Sequence, residues 1–391
     1  MRVAIIHMRH AHTGGTERYL NLVAKDLAEA GHEPVVVCRS HEEPPHPAVS
    51  FVRLRPLALG AAHRMLGFAK AVERHLTGAD YDLVFGLGKT WNHDVIRLGG
   101  GCHATYLELA HDATRTALER RIGKGAKKHR LALEIEARAL AADPRRKGGG
   151  RPLVICNSHL VERDVIARHG LDPARVRVIH NGTDTERFHP RLRASEGAAL
   201  RAELGWGPHE EVLLFLGTGY GRKGLGVVLE ATARLAPTRP ALRLLVVGYD
   251  SAQKDFEARA KALGIAERTQ FLGGRRDAER CYAAADVYAL PTRYDPFANS
   301  TLEAMASGLV TITTPTNGGS ELIEPGLSGH VLASEPDSPA EVAELADAIA
   351  FWLDHREAGG RAARSTAEAH DARHMTRVTR ELLEALAQSG D

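Results

Sequence analysis

Asp295 and Glu303 stand eight positions apart in the run D-P-F-A-N-S-T-L-E. A carboxylate is a strong hydrogen-bond acceptor, so two of them bracketing a loop suit a ligand rich in hydroxyl groups. Before the loop, Val287 to Leu290 (V-Y-A-L) predicts a buried strand. After it, Asn299 and Ser300 are good helix N-cap types, and Leu302, Met305 and Ala306 share one helical face. A strand running through a short loop into a helix start offers open N–H groups and the positive end of a helix dipole to an anion. The chemistry is that of sugar, phosphate and ribose. A plainer alternative has Asp295 starting a turn and Glu303 on a solvated helix face.

A second stretch carries matching chemistry. The strand expected at Val212 to Leu216 gives way to G-T-G-Y-G-R-K-G at 217–224 and then to a helix. Its glycines leave the backbone open, and Arg222 and Lys223 can neutralise a diphosphate. Nearer the start, Val3 to Ile6, then Gly14-Gly15-Thr16, then Leu20, Val23, Leu27 and Ala30 make a strand, a glycine turn and a helix. The dinucleotide spacing G-x-G-x-x-G is missing there, so Gly14 and Gly15 read as a close approach for substrate. Gly86-Leu87-Gly88-Lys89-Thr90 lacks the glycine five positions before Gly88 that a P-loop needs, which excludes that motif. Lys89 still stands at the carboxyl end of a strand. Three glycines at 99–101 precede Cys102 and His103 and suggest a backbone shaped around a ligand, with His103 reading either as a substrate contact or as a structural histidine.

Elements that place these loops follow an alternating strand–helix pattern over the whole chain. At 391 residues about two domains are expected. A net charge of +2 argues against nucleic acid as a partner. Four cysteines form no CxxC pair, so the sequence indicates neither a zinc site nor a disulfide framework. The opening M-R-V-A-I-I-H predicts a strand and no secretory leader, and no apolar run is long enough to span a bilayer. Between Arg115 and Arg151 twelve Lys and Arg face four Asp and Glu, a local excess of +8. Arg120, Arg121, Lys124, Lys127, Lys128 and Arg130 form its centre and predict a contact with an anionic membrane or an acidic lipid. A solvated helix face is the alternative.

H-N-G-T-D-T-E-R-F-H-P at 180–190, P-T-R-Y-D-P-F-A-N-S-T-L-E-A-M-A-S-G-L at 291–309 and T-N-G-G-S-E-L-I at 316–323 together resemble the retaining GT-B glycosyltransferases with an E-x7-E motif, the family 4 type. Within that family, G-T-G-Y-G-R-K-G and the opening G-G-T-E-R are similar to the glucosyltransferases of lipopolysaccharide core. The resemblance implies an α/β chain with two doubly wound, Rossmann-like domains facing across a cleft. An acceptor domain is expected at 1–185 and a nucleotide-sugar domain at 186–370, with a helix at about 371–391 returning to the first.

By resemblance, Arg222, Lys223, Gly14, Gly15, Ser300 and Thr301 border the donor diphosphate, and Glu303 holds the ribose. Phe297, Ala298 and Asn299 meet the donor sugar, while Asp295 and His103 approach the transferred group. The implied reaction moves a hexose with retention from a UDP-sugar such as UDP-glucose to a lipid-linked saccharide, using no cofactor and no metal. Asp80-Tyr81-Asp82 precedes a strand and is not placed to hold a metal on phosphates. A cytoplasmic protein resting on the inner membrane face is expected. Two departures stand out. Asp295 is one methylene shorter than the usual glutamate, and Gly217-Thr218 replaces the usual glycine-arginine. A sugar-nucleotide epimerase or hydrolase, or a non-catalytic binder, are the alternatives.

Overall fold

The computed structural model describes residues 1–12, 14–111, 126–143 and 150–389. They form two compact units, the first made of 1–180 with 373–391 and the second of 181–372. The sequence boundary at 185 lies slightly beyond this division.

The first unit is built on β1 (Arg2–Ile6), β2 (Glu33–Cys38), β3 (Ser50–Arg53), β4 (Leu83–Gly86), β5 (Val95–Leu98), β6 (Leu153–Cys156) and β7 (Val176–Val178). All pair in parallel, in the order β3-β2-β1-β4-β5-β6-β7. Strand β1 shows why both faces are covered. Val3 and Ile5 enter one core cluster, Ala4 and Ile6 another on the opposite face. Leu20, Val23 and Leu27 of the helix Gly15–Glu29 fill the first, together with Met375 and Leu383 of the terminal helix Ala372–Ser389. Arg380 pairs there with Asp26 at 2.9 Å and Glu384 with His32 at 2.7 Å.

The second unit contains β8 (Glu211–Leu216), β9 (Leu242–Val247), β10 (Thr269–Phe271), β11 (Val287–Leu290), β12 (Val310–Thr313) and β13 (Gly329–Val331), in the parallel order β10-β9-β8-β11-β12-β13. Its two ends are laced together: Ala372 N–H donates to the Thr183 carbonyl at 2.8 Å, and Thr185 Oγ1 to Asp371 at 2.7 Å. A side chain on Gly182 would put its Cβ 2.6 Å from Ala372 Cα, which gives the Asn-Gly turn a steric reason.

Both sheets reverse their order once, between β1 and β4 and between β8 and β11. In open α/β sheets the carboxyl ends flanking such a reversal form the ligand crevice. The glycine turn at 217–224 follows β8, and the loop carrying Asp295 follows β11.

Two of the strands carry little signal in the sequence. Strand β5 was not expected, because Arg97 interrupts V-I-R-L; that side chain is 5 % exposed, its guanidinium 3.7 Å from the centre of the Tyr19 ring. Strand β13 is too short to announce itself. The long helix Pro339–Ala369 has a kink at His355. It passes through Gly359 and Gly360 because these pack against Trp352 and the Gly308 carbonyl, where a side chain has no room.

Candidate active site

The second unit brings two loops together backbone to backbone. Gly224 closes the glycine turn at φ +81°, and a Cβ there would lie 2.0 Å from the Pro291 carbonyl oxygen. Arg293 N–H and the Thr292 hydroxyl both donate to the Arg222 carbonyl. The cations of one loop are thereby pinned over the carboxylate of the other. Lys223 Nζ lies 2.5 Å from Asp295 Oδ2 and Arg222 Nη1 3.2 Å from it, while Arg222 also donates to the Tyr294 carbonyl at 2.9 Å. Asp295 Oδ1 accepts the Phe297 N–H at 3.2 Å. The turn-forming and charge-bearing readings of Asp295 thus hold together, one on each oxygen.

Lys223 is only 6 % exposed. Burial lowers its pKa, Asp295 opposes that, and Arg222 adds to it. For Asp295, burial pushes the carboxyl up, but the pull of Lys223 and Arg222 outweighs it and holds it below the ordinary carboxylate range. One anion is shared by two cations, a surplus of positive charge that suits a second, incoming anion.

The helix Asn299–Ala306 begins differently from the expectation. Its N-cap is Ala298, not Asn299 or Ser300, and no side chain caps it. Those side chains are used elsewhere: Asn299 Oδ1 accepts from Asn181 at 2.6 Å, and Ser300 Oγ accepts the Tyr288 hydroxyl at 2.8 Å. The start is held by Asn317, which is fully buried. Its Oδ1 accepts the N–H groups of Ala298 and Gly319, and its Nδ2 donates to Thr301 and Thr313. Asp295 N–H to the Thr316 carbonyl and Gly318 N–H to the Asp295 carbonyl complete the clamp. Phe297, Ala298, Ser300 and Thr301 are all buried around it, and Asn299 half-buried.

Glu303 does not face solvent. It is 6 % exposed and accepts the Tyr282 hydroxyl at 2.9 Å. Burial, then Glu303, drives the Tyr282 phenol well above its usual pKa, so it stays a donor. Tyr282, Tyr288 and Asn317 were not foreseen: a tyrosine in a helix or an apolar strand carries no sign of where its hydroxyl will land. Tyr282→Phe removes a donor from a buried carboxylate. It is expected to cost about 1–3 kcal/mol of stability, measured by denaturant unfolding.

In the first unit a cavity of about 510 Å³ opens at the carboxyl ends of β1 and β4. His103 lies on its wall, its Nε2 3.0 Å from His129 Nδ1, its ring stacked on Tyr106, and its N–H donating to Glu136. Gly14, at φ +112°, and Gly15 open the helix whose Thr16 reaches the cavity. Lys127, Lys128 and Arg130 project from the helix Ala126–Leu140 and are exposed. Arg120, Arg121 and Lys124 lie outside the described residues. Asp82 accepts the Arg2 N–H at 2.6 Å, at the amino end of β4 and so away from the loops. Cys102, Glu136 and His169 bring possible metal-ligand atoms within 4.8 Å of one another. Burial, Asp164 and Glu136 drive that thiol far up.

Residues 198–368 match the family described as Glycosyl transferases group 1, and residues 13–187 match Glycosyltransferase Family 4. D-inositol 3-phosphate glycosyltransferase of Mycobacterium sp. strain KMS is 34% identical over 186 residues, covering 46% of this chain and 40% of that one. Its counterpart in Mycobacterium tuberculosis strain F11 is 33% identical over 207 residues, 51% and 40% of the two chains. The matched part spans 40% of the length of these curated relatives. Among solved structures, WaaG, a glycosyltransferase involved in lipopolysaccharide biosynthesis, superposes with a TM-score of 0.80 at 24% identity, over 97% of this chain and 99% of that one. Sucrose-phosphate synthase from Thermosynechococcus elongatus gives 0.77 at 20%, covering 99% of each. Anabaena HepE in complex with UDP-glucose gives 0.72 at 20%, covering 98% and 100%.

Proposed function

For a chain that belongs to the group 1, family 4 glycosyltransferases of the GT-B fold, we propose retaining transfer of a hexose from a UDP-sugar to a hydroxyl of a lipid-linked saccharide. The observation that carries this reading is the convergence of Lys223 and Arg222 on Asp295 at the reversal point of the second sheet.

On binding, the donor diphosphate takes up the surplus positive charge of Lys223 and Arg222, and Glu303 accepts from the ribose hydroxyls. As the bond from the anomeric carbon to phosphate breaks, negative charge grows on the diphosphate beside those cations, which stabilise it where it develops. The acceptor oxygen forms its bond to the same face, its proton passing to a leaving phosphate oxygen, and UDP departs. Asp295 stabilises positive charge on the sugar. The HepE complex with UDP-glucose supports the choice of donor. The cations of Ala126–Leu140 and the likeness to WaaG support an acceptor on a lipid such as lipopolysaccharide core. Contact with the membrane would be peripheral and salt-sensitive; among the described residues no helix is long and apolar enough to cross one.

A thermal-shift screen against UDP, GDP, ADP and their sugars, without added metal, tests the donor site. UDP and its sugars are expected to stabilise the protein by about 2–3 kcal/mol at a hundredfold excess over Kd, and Lys223→Met or Glu303→Gln to abolish most of it. Sugar should leave the donor only when an acceptor is present. Stabilisation by no nucleotide would replace catalysis with a scaffolding role.

A further inference from the structure

The cavity of the first unit is lined by hydrocarbon and by polar groups, among them Thr16, Thr90, Arg97, His103 and His129. Its floor is hydrocarbon, with Phe68, Ile96, Leu98 and Ile135 between the sheet and the helices Gly60–Thr77 and Ala126–Leu140. Its rim carries Lys89 and Lys128. Among the described residues neither lysine has an ion-pair partner within 4 Å. Glu136 is the only carboxylate among the described lining residues, and it is already engaged by the His103 N–H at 3.0 Å and by His169 Nε2 at 3.3 Å.

Two like charges at one opening repel each other, and the Lys89 ammonium feels this. The surrounding walls lower its pKa first, Lys128 second, with Glu136 opposing. Lys89 keeps more than a third of its surface exposed because the opening itself faces water. Its screening is therefore partial. An anion carrying close to two charges, such as a phosphate ester, would relieve both lysines at once. Phe68, Ile96, Leu98 and Ile135 offer a sugar no hydrogen bonds, whereas a hydrocarbon chain gains by leaving water against them. The volume falls within the range of small-molecule pockets, and the site lies at the carboxyl ends of β1 and β4, where the strand order reverses.

We propose that this cavity binds an anionic single-chain amphiphile, its hydrocarbon on the floor and its phosphate held between Lys89 and Lys128. Its role as the lipid part of the acceptor rests on the transfer reading given above; the binding itself does not.

Calorimetric titration of the full chain tests it, using dodecyl phosphate below its micelle concentration, dodecyl maltoside as the neutral chain, and glucose 1-phosphate and inorganic phosphate as anions without a chain. Dodecyl phosphate is expected to bind at least about tenfold more tightly than any of the other three. Lys89→Gln combined with Lys128→Gln should bring it down to the level of dodecyl maltoside. Ala132→Phe, which fills the floor, should weaken both amphiphiles at least about tenfold, and Ala132→Leu should do so to a smaller degree. Near-UV circular dichroism and an unchanged cooperative melting transition of each variant report that the first unit is folded. Equal binding of dodecyl maltoside overturns the anion; equal binding of glucose 1-phosphate overturns the chain and leaves a sugar-phosphate site. Variants that fold and leave dodecyl phosphate binding unchanged overturn the location. Loss of UDP binding alone would sink the transfer reading and leave this site standing.

Discussion

Asp295→Ala is expected to reduce turnover by well over tenfold while UDP still binds. In the proposed reaction the variant removes the group that faces the transferred sugar and keeps Lys223, Arg222 and Glu303 for the nucleotide. It also strands a lysine that is 6 % exposed with no counter-charge at hydrogen-bond distance. Breaking a buried pair from one side costs about 3 kcal/mol. The donor can repair this, because its diphosphate supplies the missing anion. UDP should therefore raise the melting temperature more in Asp295→Ala than in the wild type. The pH dependence has a definite sign. The folded carboxyl is held below its ordinary pKa, so the unfolded chain takes up the proton first. Stability from this group is complete above the unfolded value, about pH 4, and disappears as pH falls through the folded value. Asp295→Asn should flatten the acid limb of the denaturation midpoint. Wild-type turnover in Asp295→Ala would end the catalytic assignment.

Gly224→Ala should be among the most damaging single methyl additions in the second unit. The position sits at φ +81°, which an L side chain tolerates at a cost of about 1–2 kcal/mol. Its Cβ would lie 2.0 Å from a main-chain oxygen that cannot rotate away, because Pro291 directly follows β11. Together these predict a loss of about 3 kcal/mol by denaturant unfolding, and weaker UDP binding because Lys223 is the adjacent residue. Gly221→Ala, three positions earlier, is the control: an added Cβ there meets nothing within 4 Å. Equal stability of the two variants would show that the loops slide past each other freely.

The site's outline could be read from the chain because it is local. A strand, a loop with a carboxylate and a helix occupy consecutive residues, so V-Y-A-L, Asp295 and Glu303 announced one another. What holds them in place was not local. Tyr282 reaches Glu303 from a preceding helix, and Asn317 reaches back across β12 to fix Ala298 and Thr301. Neither residue type signals such a role. The N-cap failed for a related reason: Asn299 and Ser300 have the right chemistry, but Asn181 and Tyr288 claim their side chains first. Strand β5 was hidden by Arg97, whose charge reads as surface until Tyr19 is seen beside it. Sequence patterns favour contacts a few residues apart, and most of the supporting contacts here are much longer in range.

The terminal helix sets an order on biosynthesis. A ribosome releases the first unit's sheet early, yet Met375 and Leu383 complete one of its core clusters, and Arg380 and Glu384 meet Asp26 and His32. Everything the second unit needs, residues 181–372, has been made before that helix exists. The half translated first is thus finished last, and the half translated second can mature around its glycine turn while its neighbour still shows an open apolar face. Nascent chains halted shortly before Ala372 should therefore be bound by chaperones at the face formed by Leu20, Val23 and Leu27, and should be released once Leu383 has emerged.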